Sequence, residues 1–370
     1  MPNKQDIKLL KMTKAIAYFL PQYHEIPENS EWWGKGFTEW TNLKKALPLF
    51  EGHEIPKPLN DNYYNLLEKE TVIWQTKLMD DYSVYGLCYY HYWFKGRKIL
   101  EKPAENLLQW KDINQKFMFM WANHNWTRSW VGEDEMLIKQ EYGNASDWLN
   151  HINYLMQFFK DPRYIKIDNK PVFQLYISKD IVNLKGMAEL WNVECQKNGF
   201  AGIYLIDNID NLDDVNKVSE FCDAINFLEH STALNYWRKF YPWEVVIEKI
   251  RKKVSKTDKI RSTEYDIVVK NSVRVMRKVS SPKKIFFGVS TSWDNTPRYG
   301  SKGYIISNST PDKFKEYLQS AKDISEKKEQ EIIFISCWNE WCEGMCLEPT
   351  EKYQYGYLNA VRDVFQGRRK

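Results

Sequence analysis

The chain has 370 residues, 43% hydrophobic and 28% charged, which is enough apolar material for a large core and excludes global disorder. The net charge of +4 and the lack of any long apolar run exclude a membrane span and leave no general basic character for a nucleic-acid partner. Six cysteines and a polar start before the short run Ala15 to Leu20, too short for a signal-peptide core, make the cytoplasm with reduced thiols the expected compartment.

Eight short apolar, β-rich runs follow one another along the chain, most ending in polar or aromatic residues. They are Ala15 to Leu20, Gly86 to Tyr90, Phe117 to Trp121, Pro171 to Tyr176, Ile203 to Ile206, the weaker Ala224 to Phe227, Ile285 to Val289, and Ile332 to Ser336. Helical patterns lie between them: Thr71 to Tyr85 with Ile73, Leu78 and Tyr82 in one stripe, and Asp147 to Phe159 with Leu149, Ile152, Leu155 and Phe159. Met187 to Gly199, Pro311 to Ser325 and Tyr353 to Phe365 complete the set. Alternation of eight strands with helices predicts a (β/α)8 TIM barrel, because parallel strands need helical crossovers; a doubly wound sheet is the alternative if the sixth strand fails. One catalytic barrel domain over 1–370 is expected, with a long loop after strand 1, from Pro21 to Glu68, and a basic helical insertion between strands 6 and 7.

That insertion, residues 238–284, holds 15 Lys/Arg against 5 Asp/Glu, a net of +10, while the rest of the chain nets −6. A solvated helical excursion explains it, and weak contact with an anionic membrane surface is the sharper possibility. Cys342 and Cys346 are spaced for neither a redox pair nor a zinc knuckle, and no metal or other cofactor is expected.

A barrel presents its chemistry at the C-terminal ends of its strands. Those ends collect Tyr23, His24, His91, Trp93, Asn123, His124, Asn125, Asp207, Trp293, Asp294, Asn339, Glu340 and Glu343. No nucleophile elbow, zincin motif, P-loop or dinucleotide fingerprint occurs among them. Glu340 and Glu343, flanked by Trp338, Asn339 and Trp341, are the candidate catalytic pair, since glycosidic cleavage needs an acid and a second carboxylate. An aromatic content of 15%, with 16 Trp and 23 Tyr, suits stacking on sugar rings. Three histidines at strand ends, His24, His91 and His124, could in principle converge on zinc, although neighbours in a hydrogen-bond network are the plainer reading.

Several blocks in chain order carry a resemblance. They are Pro21-Gln22-Tyr23-His24, the run Glu31-Trp32-Trp33-Gly34 to Glu39-Trp40, Cys88 to Phe94, Trp121-Ala122-Asn123 with Asn125-Trp126-Thr127-Arg128, Trp293-Asp294-Asn295-Thr296-Pro297-Arg298, and Trp338-Asn339-Glu340-Trp341 with Glu343-Gly344 and Leu347-Glu348-Pro349. The chain resembles the WbsX-like family of polysaccharide-biosynthesis proteins, labelled glycosyltransferases, and through it glycoside hydrolase family 99, the endo-α-mannosidases with a (β/α)8 fold. The resemblance implies that Glu340 is the base and Glu343 the general acid of a retaining reaction in which the sugar's own 2-hydroxyl attacks the anomeric carbon. It implies a substrate-binding set of Tyr23, His24, Trp32, Trp33, Glu39, His91, Trp93, Trp121, Asn123, His124, Asn125, Arg128, Trp293, Asp294, Trp338 and Asn339. Two departures bear on substrate identity: His124 replaces a glutamate of the WbsX-like pattern, and Cys342 a histidine of family 99. The implied partner is an oligosaccharide or polysaccharide, free or lipid-linked. A glycosyltransferase of O-antigen or capsular polysaccharide biosynthesis and a non-catalytic carbohydrate-binding protein are the alternatives.

Overall fold

A computed structural model describes residues 13–127, 135–227, 229–255 and 260–366. In chain order the principal elements are β1 (Lys14–Phe19), α1 (Pro27–Trp33), α2 (Glu39–Lys45), α3 (Lys69–Tyr82), β2 (Gly86–Phe94), α4 (Lys102–Gln109), β3 (Phe117–Trp121), α5 (Ala145–Phe159), β4 (Lys170–Leu175) and α6 (Leu184–Lys197). There follow β5 (Tyr204–Ile209), β6 (Ala224–Phe227), α7 (Glu229–Phe240), α8 (Pro242–Ser255), α9 (Tyr265–Lys278), β7 (Lys284–Ser290), α10 (Thr296–Tyr299), α11 (Pro311–Lys327), β8 (Ile332–Ser336) and α12 (Gly356–Phe365).

The eight strands pair in parallel in sequence order, and β8 closes on β1 through the register Lys14↔Ile332 to Ala17↔Ile335. The sheet is a closed (β/α)8 barrel, with no unpaired edge in the ring. The weak sixth run is a true strand, held between β5 and β7. Helix α5 begins two residues before the expected start, because Asn144 is its N-cap and Asp147 closes a capping box from the third position. Leu149 and Ile73, expected on buried stripes, are exposed; Met156 and Phe158 in α5 and Val72 and Met79 in α3 face the core instead. The stretch 238–284 lies between β6 and β7, as expected, and carries the end of α7 together with α8 and α9.

Strand parity decides which side chains reach the barrel interior. On β2, Cys88 and Tyr90 point inward: the Cys88 thiol lies 3.7 Å from Gln174 and the Tyr90 ring 5.9 Å from that of Tyr18. Their neighbours Tyr89 and His91 point outward to the helices. The interior carries a polar layer where aliphatic residues are usual. Gln174 donates to the Tyr18 hydroxyl (2.8 Å) and to Asn208 (2.5 Å), and Asn226 donates to both (2.9 Å each). Tyr18, Tyr90 and Met120 carry this layer up to the floor of the cleft at the barrel mouth.

Candidate active site

At the end of β8 the Ser336–Cys337 peptide is cis and the chain turns into Cys337 to Gly344. Asn339 fastens this turn to the end of β1: its Oδ1 accepts from the Leu20 N–H (2.8 Å) and its Nδ2 donates to the Leu20 carbonyl (3.0 Å). The Tyr23 hydroxyl donates to the Asn339 carbonyl from below. Gly344 ends the turn with φ near +65°, where a Cβ would come within 3.0 Å of the Asp294 nitrogen.

So held, Glu340 and Glu343 both line a cleft of about 360 Å³ at the barrel mouth, with Tyr90, Tyr92, His124, Tyr176, Trp293 and Arg298 around them. Glu340 is 7% exposed. Its Oε2 accepts from the Cys337 thiol (3.0 Å) and the Tyr90 hydroxyl (3.2 Å), and its Oε1 lies 3.6 Å from Arg298 Nη2. Burial pushes its carboxyl above the ordinary range, against the pull of the Arg298 guanidinium and the two donors. Glu343, partly exposed, accepts from Arg298 Nη1. The same guanidinium donates through Nε (2.9 Å) and Nη2 (2.5 Å) to Glu39 Oε1, on α2 and wholly buried. One arginine from the short α10 therefore gathers three carboxylates from two distant segments, α2 and the turn after β8.

Below the cleft, Glu348 is 1% exposed and accepts four hydrogen bonds: from Tyr64 (2.9 Å), Gln75 (2.8 Å), Trp338 (2.8 Å) and Trp341 (2.9 Å). It pins the two tryptophans on either side of the Glu340 backbone. Burial pushes its carboxyl up to about 7.

Of the expected binding residues, His124 and Trp293 line the cleft, Trp293 tilted against His230 with ring centroids 4.3 Å apart. Tyr23, Glu39, Trp338 and Asn339 stand behind the carboxylates and position them. His91, Trp93 and Trp121 do not reach the mouth: their parity turns them outward, where they pack about His151 of α5, whose Nε2 lies 2.8 Å from that of His91. Asn123 clamps the backbone of Ile177 with both amide atoms (2.7 and 2.9 Å), and Asn125 accepts from the Gln140 N–H (2.8 Å). Trp32 packs against Trp126 and Trp33 against Phe37, outside the cleft lining. His24 is buried, its imidazole held neutral with a pKa lowered to about 4 by that burial. Asp294 turns into a neighbouring cleft of about 920 Å³. There it accepts from His53 Nε2 (2.8 Å), whose Nδ1 accepts the Leu49 N–H (3.0 Å). Arg128 lies outside the described residues. The three histidines do not converge, and among the described residues no group of three His, Cys, Asp or Glu could hold a metal ion. All six cysteines are buried thiols outside any disulfide.

Arg298, Tyr90 and Tyr176 join the site without having been singled out. Inward parity on β2 marks Tyr90; the convergence of Arg298 with Glu39 spans 259 positions and leaves no local trace.

A closed parallel barrel with an acidic pair and an arginine at its C-terminal mouth belongs to the broad class of (β/α)8 proteins that gather reactive groups on the loops after the strands. More particularly, the chain belongs to the family described as Glycosyltransferase WbsX, whose model matches residues 15–361. It is 29% identical over 364 residues to the uncharacterised protein WxcX of Xanthomonas campestris pv. campestris, covering 94% of this chain and 49% of that protein. The chain thus spans about half the length of the curated relatives it matches. Among solved structures it is similar in fold to a glycoside hydrolase-like protein (11% identity, TM-score 0.62, covering 96% of this chain and 94% of that one). It is likewise similar to the GH99 endo-alpha-mannosidase of Bacteroides thetaiotaomicron (14% identity, TM-score 0.56, 95% of each chain).

Proposed function

We propose that this chain is a carbohydrate-active enzyme that breaks a glycosidic bond in a polysaccharide or its precursor with retention, passing the sugar to water or to a second sugar. The observation that carries this reading is the placement of Glu340 and Glu343 on one turn, both facing one cleft and joined by Arg298. In the proposed first step Glu340 takes the proton of the sugar 2-hydroxyl while O2 attacks C1, and the C1–O bond to the leaving group breaks as Glu343 protonates that oxygen. In the second step water or an acceptor hydroxyl attacks C1 and gives its proton to Glu343, the C1–O2 bond breaks, and Glu340 returns a proton to O2. Mannose, with O2 and an α-leaving group on opposite faces, suits this geometry. The Tyr90 and Cys337 donors and the Arg298 charge favour ionised Glu340, as a base requires.

Burial, which raises Glu340, favours a second reading in which the two roles are exchanged. Activated aryl α-mannosides separate the two, because a leaving group that departs unprotonated needs no acid. Under the first assignment Glu343→Gln loses activity on mannosyl oligosaccharides but still releases the aryl leaving group in a first turnover, and Glu340→Gln does neither. The opposite pattern reverses the roles. Turnover by the wild type only when a sugar nucleotide is supplied would replace hydrolysis or transglycosylation by nucleotide-dependent transfer.

A further inference from the structure

Helix α8 is built inside out. A helix on a soluble surface turns its apolar stripe to the core and its charges to water. Here Trp243, Val246, Ile247 and Ile250, at steps of three, four and seven residues, are 57%, 54%, 62% and 58% exposed. Phe240, at the end of α7, adds a further ring at 43%. Two of its charged side chains face the protein: Glu244 accepts from Lys270 (3.1 Å) and Arg274 (3.1 Å), and Lys252 donates to the Ser262 carbonyl (2.6 Å) and hydroxyl (2.8 Å). Val245 alone among the valines and isoleucines of the helix's first three turns packs on the core, and only partly buried. These polar anchors fix the rotation of the helix, so the outward apolar stripe is a settled feature of the fold and not slack packing.

The charge around the stripe says what covers it. Arg238, Lys239, Lys249 and Arg251 are exposed beside it, within a segment that holds 15 Lys/Arg against 5 Asp/Glu. A second copy docked across a two-fold axis would set this basic segment against itself, which repels. An anionic lipid surface meets both requirements at once: its headgroups neutralise the rim, and its acyl boundary takes up the tryptophan and the aliphatic chains.

We propose that α8 is an interfacial membrane-docking helix, lying in the headgroup region of anionic bilayers with Trp243, Val246, Ile247 and Ile250 inserted. The helix's C-terminal half is tied to the strand Arg261–Glu264, which pairs with Tyr304–Ser307. Ile305, Ile306 and Ser307 in turn line the larger cleft beside the acidic pair. Docking would therefore hold the barrel mouth close to the lipid surface. The inference rests on the helix alone and stands whether or not the glycosidic chemistry proposed above is right.

The test is co-sedimentation of the chain with vesicles of phosphatidylcholine alone and of phosphatidylcholine mixed with phosphatidylglycerol, at low and high salt. The wild type is expected to bind the mixed vesicles about tenfold or more tightly than the neutral ones, with the difference shrinking at high salt. Trp243→Ser with Ile247→Ser should weaken that binding by about tenfold or more and leave the melting temperature unchanged, since both side chains are exposed. No binding of the wild type to mixed vesicles, or equal binding by the double variant, overturns the proposal. So does sedimentation velocity showing a vesicle-free wild-type dimer that the double variant dissociates, which would make a second copy the occupant.

Discussion

Arg298 is the side chain on which the acidic site balances. It is buried, and Glu39, Glu340 and Glu343 all raise its affinity for its proton. Removing a buried charge partner leaves the others uncompensated, which costs on the order of 3–5 kcal/mol. Arg298→Met is therefore expected to lower the unfolding free energy from urea titration by that much at neutral pH, and a loss below about 1 kcal/mol would show that the carboxylates are solvated enough to do without it. Glu348 makes a pH-dependent contribution of the opposite kind. Its carboxyl is raised from 4.5 to about 7, so between those pH values the folded state holds a proton that the unfolded state has released. Stability from this group is highest below about 4.5 and falls as pH rises to about 7, by about 3 kcal/mol in all. Glu348→Gln removes that slope while mispairing some of the four donors at every pH. Subtracting the variant's urea stability from the wild type's should give a difference that falls across this window. A flat difference would mean that Glu348 stays ionised throughout, held so by its donors.

At the scale of strands and turns, all eight barrel strands were legible as short apolar runs because the barrel wall is buried on both faces, and such strands need no alternation. The same property hid the side-chain directions. With both faces apolar or aromatic, Tyr90 and His91 look alike in sequence, and only the pairing geometry sends Tyr90 to Glu340 and His91 to His151. The turn after β8 was legible from its carboxylate spacing, whereas the clamps that aim it, Asn339 on Leu20 and Glu348 on two tryptophans, join segments whose contact no local pattern announces. Parity makes a paired prediction. Tyr90→Phe deletes a donor that favours ionised Glu340, so the acidic limb of the activity profile should move to higher pH with little change in stability. His91→Phe leaves His151 without its 2.8 Å partner inside the helix layer and should cost about 1–3 kcal/mol of stability, with the pH profile in place. If His91→Phe moved the profile and Tyr90→Phe did not, the inward and outward assignments on β2 would be wrong.

Over the whole molecule, the closure of β8 on β1 ties the two ends of the described chain together. Lys14 to Ala17 pair with Ile332 to Ile335, the Trp338 N–H donates to the Tyr18 carbonyl (2.7 Å), and Thr13 donates to the Gln330 carbonyl (2.9 Å). A ring of strands has no place to stop: removing one strand opens two unpaired edges and uncovers the interior layer that Tyr18, Gln174, Asn208 and Asn226 share. The barrel should therefore fold as one cooperative unit, even though the curated relatives are about twice as long. A fragment of residues 13–366 is expected to unfold in urea in one transition, with coincident midpoints by far-ultraviolet circular dichroism and by tryptophan fluorescence. The same fragment ended before Ile332 should show no cooperative transition, since it lacks β8, the acidic turn and α12 together. Two separated transitions in the longer fragment would divide the barrel into independently stable parts, and a cooperative transition in the shorter one would mean that closure adds little to its stability.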